Sequence, residues 1–361
     1  MNIVHLYKDY FPVLGGIENY ARILAEAQAA AGHQVTVLVC DPGPRTHVET
    51  LNGVRVIRAG RIATAASMPL SVSQPVELAR LQPDVVHVHS PYPLGELSAW
   101  LLTQARLIIT HHSDVVRQKG WLRLYRPLLR EVLRQADRVI ATSPRYIETS
   151  PWLRPVQDKC VVVPLGVDPR RFSPASTPFE GPPTLLFVGR LRYYKGLGTL
   201  LRALPDLAEI NLKVAGSGPM RDGWEALAAE LDVAQRVDFM GRVDDAHLPA
   251  LYHQAHAFIL PSNARAEAFG MVLLEAMASG LPCITTELGT GTSWIVQHGI
   301  TGLVVPPQQP LALGEAIQRL LSDPALRTQM GRAGRARVEA EFTQERMIAR
   351  VQSVYEEVLS T

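Results

Sequence analysis

Two glutamates, Glu267 and Glu275, stand eight positions apart in EAFGMVLLE with almost only apolar residues between them. The helix predicted there continues through AMASG, and Met271, Val272, Leu273, Leu274, Ala276, Met277 and Ala278 leave it no polar stripe. Such a helix is buried on most sides, so Glu275 has no obvious solvent face. A buried carboxylate is costly unless something hydrogen-bonds to it, and ligand hydroxyls are one such partner. Glu267 precedes the expected helix start at Phe269 and Gly270, where free N–H groups of a first turn can hold a phosphate or a sugar oxygen. The same residues also fit a first-turn acid favoured by the helix dipole and an ion-paired Glu275.

Other chemistry-bearing residues fall at predicted strand ends. In VGRLRYYKG, residues 188 to 196, Arg190 and Lys195 follow a strand and precede a helix, a loop able to present two cations to a diphosphate. Isolated, they would be solvated surface charges. In VAGSGP, Gly216 and Gly218 let a backbone approach a ligand closely, yet the spacing is neither a dinucleotide fingerprint nor a Walker loop. His111 and His112 close another strand, where a histidine is commonly a hydrogen-bonded structural residue. His87 and His89 alternate onto one face, but two histidines without a third ligand do not make a metal site, and no metal is assigned.

The elements that must position these residues repeat one pattern. NIVHL, a Gly15-Gly16 loop, the helical IENYARILAEAQAAAG and the strand-like QVTVLVC form a strand, helix, strand unit of the kind that builds parallel sheets. DVVHVH, RLIIT, RVIATS and KCVVVP continue it, each followed by polar loop chemistry. PRRFSPASTPFEGPPT, residues 169 to 184, is proline-rich and lacks periodic apolar residues, which marks a linker. The domains are therefore expected over 1–170 and 171–342. The pattern restarts in TLLFVGR, GLGTLLRALPDL, LKVAGSGP, RVDFMGR and HAFILPS, and an amphipathic tail reads as a last helix within 343–361.

A length of 361 residues suits two such α/β domains. There is no run of about 18 apolar residues to span a bilayer, and MNIVHLYKDY lacks the order of a secretory signal. The cytoplasm is the expected compartment. Cys40, Cys160 and Cys283 have no zinc or redox spacing and read as core residues. Residues 1 to 173 hold 20 basic against 14 acidic side chains and the remainder 16 against 20, so the first half favours an anionic partner. Its segment 117–138 carries seven basic residues against two acids, interleaved with Trp121, Leu122, Leu124, Tyr125, Leu128 and Leu129. That stretch can lie on an anionic membrane at the inner face of the cytoplasmic membrane, or bury its apolar residues and leave the arginines solvated. No nucleic-acid reader motif accompanies the charge.

The ordered set of Gly15-Gly16, THHSD, PLGVD, the Arg190 and Lys195 loop, Gly216 and Gly218, the paired glutamates and GLVVPP resembles the family-4 retaining glycosyltransferases of the GT-B fold, over nearly the whole chain. The resemblance implies two facing Rossmann-like domains around a deep interdomain cleft. The acceptor would lie on the first domain and the nucleotide-sugar donor on the second, with the final helix crossing back. It implies that Arg190 and Lys195 bind the donor diphosphate, that Glu267 and the backbone of Phe269, Gly270 and Met271 hold the sugar, and that Glu275 accepts the ribose hydroxyls. Gly16, Gly216, Gly218 and Val243 would also line the donor site. The family's Thr, any residue, His pattern selects His112 over His111, close to the reacting sugar carbon. No metal or other cofactor is implied, and the diphosphate charge would be met by Arg190 and Lys195.

HHSDVVRQKGWLRLYRPLLR, ATSPRYIETSP, ARAEAFG and ELGTGTSWIVQHGITG look most like bacterial O-antigen and exopolysaccharide mannosyltransferases using GDP-mannose. The expected reaction is retaining hexose transfer to a lipid-linked glycan, and Lys195→Ala is expected to cost turnover with folding intact. A UDP-hexose donor, a nucleotide-sugar 2-epimerase and a binding subunit with a vestigial site are alternatives. A nicotinamide oxidoreductase lacks its glycine fingerprint.

Overall fold

The computed structural model describes residues 1–13, 15–65, 68–114, 119–177, 179–207 and 209–360. The chain forms two compact units, Met1–Val163 with Ile348–Thr361, and Pro164–Met347. The first break thus falls seven residues before the expected one. The segment after Val163 is drawn into the second unit by a short parallel bridge, in which Val167 N–H donates to Phe342 O at 2.9 Å and Gln344 N–H to Val167 O at 3.1 Å. Gly166 permits this approach, since a Cβ there would lie 2.4 Å from Thr343 O.

The first unit is built on an eight-stranded sheet of β1 (Asn2–Leu6), β2 (Gln34–Cys40), β3 (His47–Leu51), β4 (Val54–Ala59), a separate hairpin of β5 (Ala63–Ala65) and β6 (Met68–Leu70), then β7 (Val85–Ser90), β8 (Arg106–His111), β9 (Arg138–Ala141) and β10 (Cys160–Val162). The sheet order is β10-β9-β8-β7-β1-β2-β4-β3, parallel throughout except for the β3 edge. Strands covered on both faces need near-continuous apolar runs. β7 is buried from Val85 to Ser90 all the same, although it carries His87 and His89. From Ile348 onward the last helix, Gln344–Ser360, belongs to this unit and buries Val351, Val354 and Tyr355.

The second unit holds β11 (Thr184–Val188), β12 (Asn211–Ala215), β13 (Val237–Gly241), β14 (Ala257–Leu260), β15 (Cys283–Thr286) and β16 (Gly302–Val305) in a parallel sheet of order β13-β12-β11-β14-β15-β16. Renumbered within the unit this is 3-2-1-4-5-6, the doubly wound order, and the order in which successive strands are added reverses between β11 and β14. Ligands of such sheets bind outside the carboxyl ends of the strands at that switch point.

The helix Lys119–Gln135 covers most of the basic stretch. Residues 117 and 118 lie outside the described residues. From Tyr125 onward its apolar residues Leu129, Val132 and Leu133 are buried while Arg126, Arg130 and Arg134 are exposed. That part of the helix spends its apolar face on the protein's own core. Among the described residues no helix is long and apolar enough to cross a membrane.

Candidate functional site

In the second unit the expected residues gather at the carboxyl ends of β11 to β14. Lys195 closes a single 3-10 turn, Tyr193–Lys195, after β11. Its side chain runs over Gly189, where an added Cβ would stand 3.4 Å from Cε. The Nζ atom lies 2.6 Å from Glu267 Oε2, with both side chains about one-tenth exposed (11% and 9%). Burial alone would lower the Lys195 proton affinity, but the Glu267 carboxylate, together with Tyr194 and Glu275, outweighs it and the net displacement is upward. Lys195 is therefore a charged ammonium held in a nearly dry site. Ser262 Oγ donates to the same Glu267 oxygen at 3.2 Å, and the Tyr194 ring stands 5.8 Å from the ammonium.

Gly270 precedes the helix Met271–Ala278 with φ +91°, a left-handed turn that glycine adopts without penalty. The amides of Phe269, Gly270 and Met271 have no backbone acceptor among the described residues. They are the uncompensated donors of a helix start, which favour an anion or an electron-rich oxygen. The Phe269 ring turns inward against Phe342, so its contribution to a ligand would be its backbone.

Glu275 sits on this helix between buried Leu274 and Ala276 and is half-buried. Tyr252 OH donates to its Oε2 at 2.7 Å. Burial raises the Glu275 proton affinity, opposed by the Tyr252 hydrogen bond and the charge of Arg171. One carboxylate oxygen thus has an internal partner, a tyrosine that the sequence LPALYHQA offers only as an apolar core residue.

Arg190 is exposed at the end of β11 and forms no ion pair with a described residue. Val243 lies half-buried just beyond β13. Gly216 and Gly218 have an internal reason to be glycine. An added Cβ would lie 1.9 Å from Gly189 O at Gly216 and 2.4 Å from Leu191 O at Gly218. They let the loops after β11 and β12 pack on each other, joined by Leu191 N–H to Ser217 O at 2.9 Å. A need for ligand approach is not required to explain them.

In the first unit, Gly16 is the first residue of the helix Gly16–Ala30, and a Cβ there would meet nothing within 4 Å. His111 is held by Asp114 at 3.1 Å, and Asp114 also accepts from Ser150 Oγ at 2.7 Å. His112 is instead bonded through Nε2 to His89 Nδ1 at 3.2 Å. Burial, then the charge His111 can carry, lowers the His112 value to about 3, so the ring is neutral near pH 7.

His5 on β1 joins His87 and His89. Their ligand-type nitrogens lie within 4.8 Å of one another. The isolated histidine in NIVHL gave no spacing signal, because register across parallel strands, not sequence distance, sets it beside β7. His5 Nδ1 meets His89 Nε2 at 3.2 Å, while His87 is bonded to Tyr355 OH and Thr110 Oγ1, each at 2.6 Å. A cation among them would have to displace these bonds.

Comparison with known proteins follows the same two-part division. The model of the glycosyl transferases group 1 matches residues 169–337, and that of glycosyltransferase family 4 matches residues 14–171. The chain is 40% identical to the D-rhamnosyltransferase WbpZ of Pseudomonas aeruginosa over 95% of this chain and 92% of that protein. It is 32% identical to the O-antigen chain mannosyltransferase C of Escherichia coli over 100% of both. Among solved structures, sucrose-phosphate synthase from Thermosynechococcus elongatus is similar with a TM-score of 0.84 at 27% identity, covering 99% of each chain. With these matches over nearly its full length and two parallel α/β units, the chain belongs to the family 4 glycosyltransferases of the GT-B fold.

Proposed function

We propose that the protein transfers a hexose from a nucleotide diphosphate to a hydroxyl of a lipid-linked glycan in O-antigen-type polysaccharide synthesis, with the anomeric configuration retained. The observation that carries the donor site is the buried Lys195–Glu267 pair at the sheet's switch point, beside the open start of the helix Met271–Ala278. On donor binding, Lys195 and Arg190 turn to the diphosphate, Glu267 and the amides of Phe269 to Met271 to the sugar hydroxyls, and Glu275 Oε1 to the ribose. Gly16, on the first unit, approaches the donor by its backbone, and Val243 borders the nucleotide. As the glycosidic bond lengthens, the sugar gains positive and the diphosphate negative character, and pre-placed cations stabilise that change more than the ground state. His112 meets a hydroxyl of the reacting sugar. No metal is required by this scheme. An approach to an anionic lipid surface would use Arg126, Arg130 and Arg134.

GDP-mannose is the preferred donor, supported by the relationship to a mannosyltransferase. A deoxyhexose donor is the second reading, favoured by the relationship to a D-rhamnosyltransferase. A panel of nucleotide-sugars tested by thermal shift separates them, because a ligand that binds only the folded chain raises the melting temperature. GDP-mannose is expected to raise it more than UDP-hexoses or a GDP-deoxyhexose. A larger shift with a UDP-hexose overturns the guanine assignment, and one with the deoxyhexose overturns mannose. Incubation with donor alone, followed by analysis of the sugar, excludes or reveals an epimerase.

A further inference from the structure

Four side chains, from one helix, two strands and the residue that follows β8, make one line of hydrogen bonds inside the first unit. Gln28 Oε1, on the helix Gly16–Ala30, lies 2.7 Å from His5 Nε2. His5 Nδ1 lies 3.2 Å from His89 Nε2, and His89 Nδ1 lies 3.2 Å from His112 Nε2. We propose that Gln28, acting through His5 and His89, fixes the proton of His112 on Nε2 and leaves Nδ1 bare, so that the end of β8 offers the substrate a hydrogen-bond acceptor. The inference rests on the reading that His112 meets a sugar hydroxyl; Gln28, His5 and His89 are positioning residues.

A neutral imidazole has one donor and one acceptor nitrogen, so three in series can be protonated consistently in only two ways. The end group chooses between them. An amide oxygen only accepts, which puts the His5 proton on Nε2; His5 Nδ1 then accepts from His89 Nε2, and His89 Nδ1 from His112 Nε2. Burial keeps the rings neutral: it lowers His5 to about 4 and His112 to about 3, and it holds His87 and His89 well below the ordinary histidine range.

The surrounding groups do not set a competing direction. His87 is bonded to the hydroxyls of Tyr355 and Thr110, which can donate or accept, and stands outside the line. Tyr20 lies edge-on to His89 and His112 and Tyr7 edge-on to His89, with the Tyr20 hydroxyl bonded to neither ring. The Gln28 Nε2 group is buried without an acceptor, a cost that an apolar side chain would avoid.

The direction of the line matters for the reaction proposed. As the sugar gains positive character its hydroxyls become stronger donors, so a bare Nδ1 is worth more in the transition state than before it. Reversal of the line would present an N–H there and lose that gain.

The test is the 15N ring shifts of histidine-labelled protein, with His112→Asn used for assignment, together with steady-state kinetics. Wild type should show His112 protonated on Nε2. Gln28→Met keeps volume without an acceptor and should populate both tautomers, with kcat lowered about tenfold and KM unchanged, the scale of one hydrogen bond. A wild-type His112 protonated on Nδ1, or a Gln28→Met protein with the wild-type tautomer, overturns the proposal without need of any variant's turnover. Expected shifts with unaltered kcat overturn the substrate contact at His112. Absence of transfer by wild type from every nucleotide-sugar is a failure of the functional reading instead, and leaves the ring shifts to judge the line of bonds.

Discussion

In the function proposed, the Lys195–Glu267 pair makes donor binding and stability inseparable at one residue. An ion pair about one-tenth exposed has given up most of its water, and removal of one partner leaves the other charge buried. Lys195→Ala should therefore lower turnover by about two to three orders of magnitude and also cost about 3 kcal/mol of folding stability, a correction to the expectation that folding would be untouched. The double variant Lys195→Met with Glu267→Gln should recover most of that stability in urea melts while remaining inactive. Equal urea midpoints for wild type and Lys195→Ala would show that the pair contributes nothing to folding. The sign of the titration agrees: the raised Lys195 value means its contribution is complete below the ordinary 10.5 and is lost as pH rises through the folded value. Lys195 and Glu267 were legible in the sequence because a cation or an acid in a loop after an apolar run stands out. Tyr252, Ser262 and His5 were not, because each looks like a core or turn residue until the fold sets it beside its partner.

Among the elements, the strand-to-helix loops carry the residues of the proposed function, and their glycines divide by what they touch. Gly216 has φ +148° and its missing Cβ would stand 1.9 Å from Gly189 O. Gly216→Ala should destabilise the second unit by about 2–3 kcal/mol through backbone strain and loop displacement, and urea melts with and without saturating donor would read it. Gly16→Ala adds a Cβ in open space at a helix start, so stability should hold or rise by up to about 0.5 kcal/mol. If Gly16 approaches substrate as proposed, KM should rise several-fold in that variant. An unchanged KM would return Gly16 to the role of a helix-start residue. The central strands were readable because burial on both faces demands unbroken apolar runs. The edge strand β3 was not, since its residues alternate only weakly between exposed and half-buried and its partner β4 alone defines it.

At the scale of the molecule the two units carry different titration chemistry, and acid should separate them. His5, His87, His89 and His112 of the first unit are neutral when folded and close to their ordinary value of 6.5 when unfolded. Between about pH 4 and 6.5 the unfolded first unit binds more protons than the folded one, so its stability falls as pH falls. Each such histidine costs about 2 kcal/mol at pH 5, and even two of them would remove a large part of a typical domain's 5–15 kcal/mol. In the second unit burial lowers His256, but burial also raises Glu275, which favours the folded form as acid is added, and Lys195 stays charged throughout. Hydrogen exchange at pH 7.5 and pH 5, corrected for intrinsic rates, should show the amides of β1, β7 and β8 losing protection before those of β11, β12 and β14. Thermal unfolding at pH 5 should then resolve into two transitions where pH 7.5 shows less separation. Loss of protection in the second unit first, or in both together, would mean that the buried histidines do not govern the acid limit of the fold.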